Sequence, residues 1–110
     1  MEFSVIVKRA KEIKEKYAAF SEKEGYNAWG ASEHTQALVG DVGDLMKLVM
    51  AKNNLRDDTA VDKKLAHELA DCLWSTIIIA QELGINLEKE FFATMNELEE
   101  RITRSHSSAG

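Results

Sequence analysis

Apolar residues recur along this chain at steps of three and four, the spacing that gathers them on one face of an α-helix, and four stretches carry the pattern. In the first, Phe3, Ile6, Val7, Ala10, Ile13, Tyr17 and Phe20 are interleaved with Lys and Glu until Gly25, whose tolerance of the left-handed conformation predicts a helix stop. GYNAWGAS then reads as a loop. A second helix is predicted from Ser32, whose hydroxyl can cap free backbone N–H groups. It carries Ala37, Leu38, Val42, Leu45, Leu48 and Val49 inward and ends at Asn53 and Asn54. The third opens on Thr59 and Asp62, spaced as a capping box, and closes on Gly84 followed by Ile85. Between them Leu65, Leu69, Cys72, Leu73, Trp74, Ile77, Ile78, Ile79, Ala80 and Leu83 cover most of the circumference, so this helix is expected to be surrounded by others. The fourth starts at a cap, Asn86, and runs through Leu87, Phe91, Met95, Leu98 and Ile102. The expected architecture is an all-α four-helix bundle with short connections, one domain over residues 1–104 followed by a flexible tail at 105–110.

Composition narrows this picture. With 110 residues there is room for one domain whose core is thin, which makes a partner subunit plausible. Proline is absent, which suits helices. The net charge of −5 argues against a nucleic-acid or anionic-membrane partner, whose phosphates need a clustered basic face. The longest uncharged run, CLWSTIIIAQ, has 10 residues, core-sized rather than bilayer-sized, and the N-terminus mixes Glu with Lys as no signal peptide does. One cysteine, Cys72, excludes an internal disulfide framework and a cysteine-built zinc cage, and points to a reducing, cytoplasmic setting.

Carboxylates interrupt the inward faces of the second and third helices. Asp41 and Asp44 are three apart, as are Glu68 and Asp71. Positions i and i+3 are neighbours on a helix surface, so each pair is a like-charge contact that needs compensation. Burying an ionised carboxylate costs several kcal/mol. Three compensators are open: Lys or Arg from a neighbouring helix, protonation of one member of each pair, or a divalent cation. A solvated acidic stripe would need none of them. Two facing carboxylate pairs suit the hard, oxygen-seeking Mg²⁺ or Mn²⁺ best.

These residues also carry a family resemblance. ALVGDVGDLMKLV followed by HELADCLWSTIIIAQELGINL is similar to the paired acidic signature of the MazG-like nucleoside triphosphate pyrophosphohydrolases, the all-α NTP pyrophosphatase superfamily, in which E-x-x-E on one helix is followed by E-x-x-D on the next. The likeness spans roughly Ala37 to Arg101. Its first half looks most like the dCTP pyrophosphatase branch, with Gly40 in place but Asp at 41 and 44 where Glu is usual. The resemblance implies the bundle of that superfamily, assembled as a homo-oligomer, either a dimer or a tetramer built as a dimer of dimers. It implies Mg²⁺ (or Mn²⁺) held by Asp41, Asp44, Glu68 and Asp71, which would also be the catalytic residues. The implied activity is hydrolysis of a (deoxy)nucleoside triphosphate to the monophosphate and pyrophosphate, a house-cleaning of the nucleotide pool. Which carboxylate serves as general base stays open. In the dCTP-directed branch the last helix carries a Lys, an Asn and an Arg; the matching positions here are Thr94, Leu98 and Arg101, so only the Arg is kept, which implies an altered substrate preference. A non-catalytic helical module that keeps the fold and binds a nucleotide or a partner is the alternative.

Four more residues are candidates for substrate binding. Trp29, 12 residues before Asp41 in the glycine-containing loop, could stack on a nucleobase or simply cover the bundle end. Trp74, one turn beyond Asp71, could line the pocket, although core packing suits its helix better. Lys47 and Arg101 are candidate phosphate contacts, with a surface ion pair to Asp44 the plainer role for Lys47. His67 beside Glu68 resembles the start of a zinc motif, but Asp71 stands where the second His belongs, and the motif is rejected. Cys72 reads as core, and His34 and His106 show no constellation.

Overall fold

The computed structural model describes the backbone of residues 2–54 and 59–109, with side chains in that range except at 54, 59 and 106–109. Four helices make up almost all of it: α1 (Phe3–Lys23), α2 (Ala31–Asn54), α3 (Thr59–Glu82) and α4 (Leu87–Ala109). Among the described residues there is no strand, and no helix is long and apolar enough to cross a membrane.

The helix ends follow local chemistry. Gly25 and Gly84 take φ of 82° and 67°, which lets the chain fold back on the helix it has just left. Tyr26 N–H donates to the Ser21 carbonyl at 2.7 Å and Ile85 N–H to the Ala80 carbonyl at 2.8 Å, the long bond of a Schellman turn in each case. The Asn86 side-chain oxygen accepts from Lys89 N–H at 3.2 Å, capping α4 as expected. Ser32 is not the cap of α2. The helix begins one residue earlier, the Gly30 carbonyl accepts from His34 N–H at 3.1 Å, and Ser32 lies inside the first turn. The Thr59 side chain of the expected capping box lies outside the described residues, while Asp62 pairs with Lys52 Nζ at 2.6 Å. The helix α4 continues to Ala109, past the boundary at 105 where a tail is expected.

Helices α2 and α3 pack antiparallel: His34 near the start of α2 meets Trp74 in the second half of α3, and Lys52 near the end of α2 meets Asp62 in the first turn of α3. Across the C-terminal half of α3 lies α1. Ala10, Ile77 and Ile78 form the buried centre of that contact, with Phe3, Ile6, Val7, Trp74 and Leu87 packed against it. Two polar clamps hold the same seam: Trp74 Nε1 donates to the Ala10 carbonyl at 3.1 Å, and Lys14 pairs with Glu82.

Elsewhere the apolar pattern is uncovered. Among the described residues of α4, Leu87 alone packs on the buried cluster; Phe91, Phe92, Met95, Leu98 and Ile102 stand exposed. So do Val39, Val42, Met46 and Met50 on α2, and Leu69 and Leu73 on α3. The expectation that α3 is surrounded therefore holds only from Ser75 to Ala80, because within one chain α1 reaches only that half and α4 supplies little beyond Leu87. The accessible surface is 8717 Å², against about 6,100 Å² for a compact chain of this mass. The radius of gyration is 18.0 Å, against about 13 Å for a compact domain of this length.

Candidate metal centre and aromatic cavity

Antiparallel pairing brings the middle of α2 against the middle of α3, and with it the acidic residues. Asp41, Asp44 and Glu68 each offer a carboxylate oxygen within 4.8 Å of the others, close enough to hold one metal ion. Glu68 is the most constrained of them. Its Oε2 is buried without a hydrogen-bond partner, and its carboxyl is held above the usual range by burial first, then by Asp41, Asp44 and Asp71, with His67 opposing. Among the described residues no Lys or Arg pairs with any of the three. Of the compensators open at the level of sequence, side-chain cations are thus missing among the described residues. Three carboxylates gathered in this way, one of them with a buried oxygen that lacks a partner, fit a metal ion, which carboxylate oxygens can ligate.

Asp71 is not part of this group. It lies a turn further along α3, and His67 Nε2, four residues back on the same helix, holds its Oδ2 at 3.1 Å. The four acids expected to act together are therefore divided into a triad and a separate Asp71–His67 pair. Asp71 instead joins Asp41 on the wall of a cavity of about 430 Å³ between α1, α2 and α3.

The rest of that cavity is aromatic. Trp29 enters from the α1–α2 loop, His34 from α2, Trp74 from α3 and Tyr17 from α1. His34 sits edge-on to both indoles, with ring centroids 5.4 Å from Trp29 and 5.4 Å from Trp74, and Tyr17 lies 6.1 Å from Trp74. His34 is only 4% exposed and its Nδ1 has no partner. Burial, then the nearby Lys14, push its pKa down against the weaker pull of Glu33, so the imidazole is neutral at pH 7. The volume and the mixture of flat apolar walls with a few polar groups are those of a small-molecule site.

Trp29 and Trp74 therefore both line the cavity, Trp74 while also packing on the α1–α3 core. Lys47 and Arg101 do not line it; both are exposed, on α2 and α4, as are Thr94 and Leu98. Cys72 is half-buried, and burial followed by Asp41, Glu68 and Asp71 raises its thiol pKa, which leaves it a poor nucleophile. Sequence reading missed Lys14 and His34 and gave Tyr17 to the core. Lys14 had one signal, its place four residues after Ala10 on the border of the inward face of α1. His34 had none, because its neighbours come from a loop and from a helix 40 residues away. His106 lies outside the described side chains. Comparison of the chain with protein-family models, curated proteins and solved structures finds no match to any of them.

Proposed function

We propose that the chain is a Mg²⁺-dependent nucleoside triphosphate pyrophosphohydrolase of the MazG-like type, acting in the cytoplasm as a homo-oligomer. The observation that carries the reading is the adjacency of two parts: a carboxylate triad without side-chain cations, and an aromatic cavity that shares Asp41 with it. A nucleotide has the matching halves, a polyanion that needs a cation and a flat base that needs aromatic walls. The acidic motif beginning at Asp41 and that ending at Asp71 support the family on their own spacing.

Asp41, Asp44 and Glu68 would hold Mg²⁺, or Mn²⁺ in its place. When bound there the ion supplies the charge that neutralises the triphosphate and polarises the phosphorus under attack. The chain's own groups do the rest. Trp29, Trp74 and His34 hold the base and exclude water from one face of it. Asp71, outside the triad and on the cavity wall, is the carboxylate free to take the proton from the attacking water, with His67 fixing its orientation. Water oxygen bonds to the α-phosphorus, the bond from that phosphorus to the bridging oxygen breaks, and pyrophosphate leaves. The surface in excess of a compact chain, about 2,600 Å² by the scaling used above, is of the size that protomers of obligate dimers and larger assemblies bury.

A panel of ordinary and modified (d)NTPs with Mg²⁺, read by product identity, tests the proposal. Monophosphate and pyrophosphate from at least one nucleotide are expected; no turnover with either Mg²⁺ or Mn²⁺ would sink it. The absence of Lys and Asn at Thr94 and Leu98 favours a second reading, a non-catalytic nucleotide-binding or partner-binding module. A module that binds nucleotide would be stabilised thermally by Mg²⁺ with nucleotide yet release no pyrophosphate.

A further inference from the structure

The cavity wall includes a lysine with no part in the proposed hydrolysis. Lys14 reaches its wall from α1, while its ammonium is fixed by Glu82 on α3. An ammonium has three N–H donors and no acceptor, so pairing with Glu82 leaves donors for a ligand. Its position in the cavity follows from α3. Glu82 is 11 residues beyond Asp71, about 16 Å along the helix axis, which sets the ammonium towards the end away from the carboxylates. A triphosphate drawn to the triad would therefore turn its base, not its phosphates, towards Lys14.

We infer that Lys14 is a specificity-determining residue, donating to the carbonyl oxygen that guanine (O6), thymine and uracil (O4) carry on the edge of the base, so that these bases are accepted over adenine and cytosine, which carry an amino group there. The inference rests on the nucleotide reading and names the part of the substrate that the aromatic cavity selects. Aromatic walls are tolerant, because every base has a π face, and cannot discriminate in this way. A fixed donor can, because adenine and cytosine set an amino group against it where guanine offers O6 and thymine O4, and two donors facing each other leave both unsatisfied.

The two tryptophans of the chain both line the cavity, so their fluorescence reports its occupancy by nucleosides with no metal or turnover involved. For the full chain, deoxyguanosine and thymidine are expected to bind at least about tenfold more tightly than deoxyadenosine, the scale of one hydrogen bond to a charged donor. Lys14→Met should weaken the first two until all three agree within about twofold. Glu82→Gln removes the ion pair but leaves the ammonium, and should keep the preference. A wild-type chain without preference, or preferring deoxyadenosine, overturns the inference, as does a Lys14→Met variant weakened equally for all three. Loss of the preference in Glu82→Gln as complete as in Lys14→Met would assign the effect to the α1–α3 clamp and overturn it too. No quenching by any nucleoside overturns it as well, and pyrophosphate release from triphosphates decides the hydrolase reading separately.

Discussion

The second half of α3 and the whole of α4 have the same kind of sequence, apolar residues at helical spacing, and opposite fates. Ile77 and Ile78 are 2% and 0% exposed beneath α1, whereas Phe91, Met95, Leu98 and Ile102 form a stripe along α4 that stays exposed among the described residues. Periodicity says which face of a helix is apolar. It does not say whose surface closes over that face, and here the chain closes over one of the two only.

Removing methylenes should separate the two regions most strongly. Ile78→Ala is expected to cost about 2–5 kcal/mol in denaturant unfolding, the range for fully buried aliphatic residues. Leu98→Ala should change the stability of the dissociated chain by no more than ~0.5 kcal/mol, as at an open surface. Similar losses at both sites would erase the contrast.

Charge on the stripe sharpens it next. If the proposed homo-oligomer forms through α4, Phe91→Asp with Leu98→Asp should lower the mass seen by light scattering from that of an assembly to that of one chain, by putting carboxylates on the apolar stripe. An unchanged mass would remove α4 from the assembly contact.

A smaller test lies on α2. A Cβ at Gly43 would meet nothing within 4 Å in the chain, so Gly43→Ala should stabilise the dissociated helix by about 0.5–1 kcal/mol. If it also weakens assembly, a second copy approaches that flank. The smallest effect concerns pH. Because the folded chain holds His34 below 6.5, the unfolded chain binds more protons there, so this contribution is complete above 6.5 and is lost as pH falls through the depressed value. His34→Phe should flatten the acid limb of stability between pH 7 and 5; an unaltered limb would mean that another group sets it.

What could be read from sequence and what could not divides along the same line. Gly25, Gly84 and Asn86 act through bonds within five residues of themselves, and their roles were legible. So was the pairing of acids at i, i+3, since helix geometry alone brings each pair to one face. Ser32 misled because Gly30, two residues earlier, already offers the carbonyl that starts α2. That Asp71 bonds to His67 and falls outside the triad was not legible, because that bond is a matter of rotamers, not spacing. Lys14 reaches the site only when α1 crosses α3, a contact between residues more than 60 apart, and His34 only when α2 packs on α3, 40 residues away.

The proposed hydrolysis requires Asp41, Asp44 and Glu68 to hold a divalent cation beside the aromatic cavity. Titration of the metal-free chain with Mn²⁺, followed by the loss of its free-ion paramagnetic resonance signal, measures that directly. Saturable binding that Mg²⁺ displaces, weakened at least about tenfold in Glu68→Gln, is the predicted result; no saturable binding, or equal binding in the variant, would contradict it.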